Sequence, residues 1–128
     1  GNIIGVIAQR LVRVLCPHCK ETAKPTPEER RILGLKRTET PDIFKAKGCK
    51  KCNLTGYRGR MAIVELLRID AEMDALIARR AHLDELKTLA VDKGFTTLAE
   101  DGIRRILEGY TSLEEVMRVI DLTSRINK

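Results

Sequence analysis

Cys16-Pro17-His18-Cys19 and, after 29 intervening residues, Cys49-Lys50-Lys51-Cys52 are the two strings that decide the fold. Two C-x2-C pairs brought together supply four sulfurs, the number that a closed tetrahedral structural zinc site needs at a Zn–S distance of about 2.3 Å. Two residues between ligands let each pair close on one ion from a tight turn. A disulfide framework belongs to an exported chain, and nothing in this sequence directs export. A thioredoxin-like pair needs one C-x2-C at a helix start and leaves the second pair unexplained. Zinc is therefore the expected metal and Cys16, Cys19, Cys49 and Cys52 its ligands, with a rubredoxin-type iron site the remaining alternative. His18 lies inside the first turn, is surplus to four thiolates and is expected to point outward. His82 reads as a cap or surface residue. Such sites contribute apparent free energies of ~10–16 kcal/mol coupled to folding. The stretch from Cys16 to Cys52 is poor in large apolar residues and needs that contribution.

A length of 128 residues implies about one domain. Hydrophobic residues at 43% and charged ones at 33% fit a folded soluble chain and not a disordered one. The apolar runs fall far short of the ~20 residues that span a bilayer, and no charged-then-apolar signal opens the sequence. Neither secretion nor membrane insertion is expected. Gly1 in place of Met suggests a piece of a longer protein. Charge is uneven: residues 1–60 carry 14 Lys and Arg against 5 Asp and Glu, whereas residues 61–128 carry 10 against 13. The first part could face nucleic acid, lipid head groups or a partner's carboxylates, or simply be solvated. Four thiolates around one zinc would lower its net charge by two.

Outward from the cysteines, residues 2–14 place Ile3, Ile7, Leu11 and Val14 at helical steps, which predicts a helix leading into the first turn. Thr26-Pro27-Glu28-Glu29 reads as a capping box with proline at the first helical position, and Gly34 closes that short helix. Residues 42–47 suggest a short strand. Residues 56–60 look too rich in glycine for regular structure, and MAIVELLRI (61–69) reads as a strand. Asp70 caps a helix over 71–80. A second helix covers 83–93 and stops at Gly94. Thr97 opens a third, ending at Gly109. Thr111-Ser112-Leu113-Glu114 opens a fourth with Leu113, Val116, Met117 and Ile120 on one face. The expected class is α+β and mainly helical: a tetracysteine zinc-binding lobe with a short strand pair, then a C-terminal helical bundle. The expected divisions are a helix over 1–15, the zinc lobe over 16–60, and a strand plus helical subdomain over 61–128.

No Gly-Lys dipeptide occurs, hence no phosphate loop, and neither G-x-S-x-G nor H-E-x-x-H is present. Glu65, Asp70, Glu72 and Asp74 are explained by solvation or capping. Four sulfur ligands leave zinc no open position for water, so this chain is expected not to be an enzyme. Two classes then compete. A nucleic-acid-binding zinc ribbon has the basic first half in its favour, but aromatics at 3% leave few bases to stack, with only Tyr57 beside arginine. The other class is a coupling module whose metal fixes a lobe for a partner or a parent protein.

Residues 9–19, QRLVRVLCPHC, together with GCKKCNLTGYRGR (48–60) and the strand after it, resemble the C-terminal region of the ATPases of type II secretion and type IV pilus assembly. Asp101-Gly102 and residues 111–116, TSLEEV, are similar to the tail helices of that family. The likeness is collinear over nearly the whole chain. It leans to the type II secretion ATPase, with the pilus extension ATPase its near relative. It implies a RecA-like parent: a cytoplasmic hexameric ATP hydrolase, attached to the inner membrane through partners, whose ATP cycle drives assembly of pseudopilus or pilus subunits. ATP and Mg2+ would be bound upstream, outside this chain, and residues 1–15 would continue from that core. The implied partners are the ATPase core, neighbouring subunits of the hexamer and inner-membrane secretion platform proteins, with acidic phospholipid a further contact and nucleic acid disfavoured. Only Cys16, Cys19, Cys49 and Cys52 carry over as functional residues, for Zn2+. Arg58 and Arg60 match the family motif and read first as a structural turn, with subunit or lipid contact as the alternative.

Overall fold

A computed structural model describes residues 3–92 and 95–123. Its frame is a long antiparallel ribbon of β1 (Ile3–Leu15) and β4 (Tyr57–Ile69), paired from Ile3↔Ile69 to Leu15↔Tyr57. Between these strands the chain forms β2 (Glu21–Ala23), α1 (Pro27–Leu33) and β3 (Ile43–Lys45), with β2 and β3 pairing antiparallel. After β4 come α2 (Ala71–Ala78), α3 (Leu83–Asp92), α4 (Leu98–Leu107) and α5 (Leu113–Val119). The class is α+β with five α-helices among the described residues.

The helix expected over residues 2–14 is a strand instead. Six of these residues (Ile3, Ile4, Val6, Ile7, Val12 and Val14) are β-branched and Gly5 interrupts them, a composition that favours a pleated surface over a helix interior. Every ladder partner comes from β4, more than forty residues away, so no local signal announces the pairing. The expected helical face is not buried either: Ile7 and Leu11 are 54% and 51% exposed, while Val12 and Leu15 are in the core. Residue 2 lies outside the described residues.

A second correction concerns residues 57–60, which belong to β4. The ladder shifts between Arg13 and Leu15, so that Arg58 and Gly59 together face Val14, and Gly59 takes φ +78°. The glycine serves a bulge within the strand. A further shift between Val6 and Ala8 leaves Ile7 without a partner in the ladder.

The helix boundaries follow their caps. Thr26 and Glu29 form the reciprocal capping box, at 3.2 Å and 2.8 Å. Asp70, Thr97 and Ser112 each accept from the third residue beyond, Met73, Glu100 and Glu115. The second tail helix is described to Asp92; its expected last residue and its stop at Gly94 lie outside the described residues. Ile63, Ile106 and Val116, fully buried, centre a core completed by Val12, Ile32, Leu33, Ile43, Ile103, Leu113 and Leu122. It sits between one face of the ribbon and α4 and α5. Gly102 lets those two helices approach, because a Cβ there would stand 2.9 Å from Val116 Cγ1.

Candidate metal centre

The first cysteine pair follows β1 directly. Cys16 donates its N–H to Gly56 O (2.9 Å), and its carbonyl accepts from Cys19 and Lys20, which closes the turn. The second pair lies in a single 3-10 turn, Lys50–Cys52, opened by Cys49. Beyond it Asn53 and Leu54 both adopt left-handed conformations (φ 56° and 65°), which swings the chain back so that Leu54 N–H reaches Cys49 O at 2.8 Å. Gly56, at φ +85°, admits no side chain, because a Cβ would lie 2.6 Å from that of Ala46.

The two turns bring together the four sulfurs expected from the spacing, all within 4.8 Å of one another. Cys16–Cys49, Cys19–Cys52 and Cys49–Cys52 each stand 3.8 Å apart. Four sulfurs about 2.3 Å from a central ion, at the corners of a regular tetrahedron, are separated by about 3.8 Å. The donor set therefore fits a tetrahedral, sulfur-liganded ion such as zinc. Cys16 and Cys52 are buried, and Cys19 and Cys49 are partly exposed. His18 is exposed and stands outside the cluster, and His82 is exposed at the start of α3, as expected.

Backbone N–H groups are aimed at the sulfurs, but unequally. Cys52 Sγ accepts from Cys49 and Gly56, both at 3.2 Å, and Cys19 Sγ accepts from Gly48 at 3.3 Å. Burial pushes the Cys52 thiol up, yet its two N–H donors and the neighbouring thiols outweigh that and hold it at about 6. Burial dominates at Cys19, where one N–H is too little, and its thiol rises to about 11.

A second cluster, which sequence reasoning misses, ties this centre to the tail helices. The Glu115 carboxylate, 1% exposed, accepts from the Arg13 N–H (2.8 Å), from Arg13 Nε and Nη2 (3.1 and 2.9 Å) and from Arg118 Nε (3.0 Å). Burial alone would raise its pKa, but Arg13's donors and charge pull it below the usual carboxylate value. The Arg13 guanidinium lies 4.2 Å over the Tyr57 ring, and Tyr57 Oη pairs with Ser112 Oγ at 2.7 Å. Thr111 Oγ1 donates to Arg13 O (2.8 Å), Leu15 N–H to Tyr110 O (2.8 Å) and Lys20 Nζ to Gly109 O (3.0 Å). Asp101, also 1% exposed, accepts the Val64 N–H at 2.9 Å. The Arg13–Glu115 partnership spans 102 positions. The only local cue, glutamate three residues after Ser112, reads as a cap. Arg58 and Arg60 are exposed on β4.

The chain belongs to the type II/IV secretion system protein family, whose sequence profile it matches over residues 1–118. It is 47% identical over 117 residues to the type IV pilus assembly ATPase PilB of Thermus thermophilus, covering 90% of this chain and 13% of that protein. It is 42% identical over 119 residues to the type II secretion system protein E of Pseudomonas aeruginosa, and likewise to the type II secretion system ATPase E of Vibrio cholerae. Those two matches cover 93% of this chain and 24% of each relative. The chain thus spans a quarter or less of the length of these relatives. No helix among the described residues is long and apolar enough to cross a membrane.

Proposed function

We propose that this chain is the non-catalytic C-terminal region of a hexameric traffic ATPase that powers type II protein secretion, with Zn2+ held by Cys16, Cys19, Cys49 and Cys52. The observation that carries this reading is the tetrahedral spacing of the four sulfurs, at 3.8 Å, within a chain of this family. Four thiolates close the zinc, so the ion's work is to hold two turns together and not to activate water. ATP and Mg2+ belong to an upstream core that residues 1–15 continue. The zinc lobe lies within residues 16–60 and is continuous through β4 with the helical subdomain that follows in 61–128. The partners are that core, neighbouring subunits and inner-membrane platform proteins, with acidic phospholipid as a further contact of the basic half. The parent would sit in the cytoplasm, held to the inner membrane through those partners.

The lobe moves as a rigid unit, so rotations of the core reach membrane partners without being absorbed by a soft loop. Replacing Cys49 and Cys52 with Ser in the full-length parent is expected to abolish secretion. Normal secretion with normal ATP turnover in that variant would remove the coupling role. Assembly of type IV pili is the second reading, favoured by the 47% identity to PilB. Deletion of the parent gene separates the two, since loss of pili with secretion intact would select the second. Salt-sensitive DNA or RNA binding by this chain would support a zinc ribbon instead.

A further inference from the structure

We propose that Leu54, at the tip of the second cysteine turn, docks in the groove between α2 and α3 of a neighbouring copy of this chain. The inference rests on the hexamer reading above and names surfaces by which adjacent subunits meet. Three observations single out Leu54. It is 75% exposed, the highest value among the described large hydrophobic residues. Its backbone is left-handed (φ 65°), a conformation that glycine or asparagine adopts at lower cost than leucine. The turn uses that conformation to bring Leu54 N–H back to Cys49 O, but has no use for the apolar side chain. Strain kept at an exposed apolar residue points to a task for that side chain. Lys50 and Lys51, exposed on the same turn, give the apolar knob a basic border.

The groove between α2 and α3 has the complementary character. It encloses about 390 Å3, a volume within the range of pockets that bury small ligands. Leu76 and Leu89 supply its apolar lining, and Asp84, Glu85 and Thr88 its polar one. Asp84 and Glu85 are exposed. Glu85 pairs with Arg79 at 3.1 Å, a surface contact weak enough to be exchanged for an incoming lysine. An apolar knob with two lysines thus matches an apolar groove with two carboxylates. The excess of base in residues 1–60 and of acid in residues 61–128 acts in the same direction.

The exposure of Leu54 shows that the groove of its own chain does not receive it, so the occupant comes from a second copy. A contact between two different patches of one chain is heterologous: it repeats head to tail and closes into a ring when the rotation allows. A hexamer needs that arrangement. The zinc site gives the knob its position, because Leu54 directly follows the turn that carries Cys49 and Cys52. Loss of the ion would therefore weaken the contact between subunits as well as the lobe itself.

The test mixes zinc-loaded chain carrying photoreactive benzoylphenylalanine at position 54 with heavy-isotope-labelled chain of unchanged sequence. After irradiation, cross-linked peptides are mapped by mass spectrometry, and the isotope separates links between copies from links within one. Adducts joining position 54 to residues 76–89 of the labelled copy are expected. Lys50→Glu with Lys51→Glu on the photoreactive chain should lower their yield at least about threefold, the effect of exposed charge pairs. Asp84→Lys with Glu85→Lys on the labelled chain should restore it. The lobe-side variant leaves α3 untouched and decides the matter alone if the exchanged α3 loses helix. Adducts to another surface, none between copies, or a yield indifferent to the lysines would each overturn the proposal. So would protection of position 54 by phosphatidylglycerol vesicles without adducts between copies, which would assign the knob to a lipid surface. A full-length parent that sediments as a monomer would sink the hexamer reading, whatever the cross-links show.

Discussion

Replacing Glu115 by Gln tests the junction between metal centre and tail helices most directly. The carboxylate is 1% exposed and accepts from the Arg13 N–H, both ends of the Arg13 guanidinium and Arg118. Gln keeps the shape and one carbonyl for the strand N–H, but turns an NH2 group toward donors that wanted an acceptor. Hydrogen bonds to charged groups contribute ~1.5–3 kcal/mol each when buried. The arginine side chains are 41% and 61% exposed and recover water when released, so their share falls to the ~0–1 kcal/mol of surface pairs. The expected loss is about 2 kcal/mol, or roughly 6–10 °C in Tm for a chain of this size. Thermal and urea unfolding of the zinc-loaded chain measures it. A double-mutant cycle with Arg13→Met should leave a coupling of about 1 kcal/mol. It should not be larger, because the Arg13 backbone N–H survives that substitution. A Glu115→Gln variant within ~0.5 kcal/mol of the parent chain, or strict additivity in the cycle, refutes the reasoning.

The same carboxylate predicts an acid-sensitive junction. Its folded pKa lies below its unfolded one. The stabilisation is therefore complete above the unfolded value, about 4.3, and fades as pH falls through the folded value. Unfolding followed against pH should show an acid limb that Glu115→Gln flattens. Gly102→Ala puts a Cβ 2.9 Å from Val116 Cγ1 and should cost ~1–3 kcal/mol by overpacking α4 against α5; an unchanged Tm would show that the helices part freely. Strong chelation should release one zinc per chain, with amide protection lost first between residues 16 and 60. Full protection there without metal would contradict a metal-held lobe.

The cysteine spacing made the metal centre legible because the constraint is chemical and local: ligand number, bite and turn length are all written within four residues. Helix ends were legible for the same reason, since Thr26, Asp70, Thr97 and Ser112 act on backbone groups three positions away. The strand β1 was not. Apolar residues at 3, 7, 11 and 14 satisfy a helical period, and the competing fact, a partner strand at 57–69, lies far along the chain. Its β-branched content is the local signal for a strand, and the helical period competes with it. Gly59 does not announce its bulge, because glycine marks a turn and a bulge alike until the opposite strand is known. Glu115 and Arg13 were invisible for a different reason. Each residue has an ordinary local role, cap and solvated base, and only the folded chain shows that they meet.

What stiffens the metal region is then not the ion alone. A two-stranded ribbon is marginal by itself in water, and here its two ends differ. At one end Val6 and Ile7 are 60% and 54% exposed. At the other, the last residues of β1 are held by the Tyr110–Glu115 segment on one side and by Gly56 and Tyr57 on the other. Cys16 follows those residues immediately, so the first cysteine turn inherits its position from α5 and the turn before it. The second turn inherits its own from β4 through Gly56, whose N–H also reaches Cys52 Sγ. Zinc would close the remaining degree of freedom, the distance between the turns. A force applied to the tail helices would reach the ligands through these buried polar contacts at the end of the ribbon. The coupling element proposed above is then composite, lobe and tail helices together, and cutting the chain between residues 60 and 61 divides one mechanical unit.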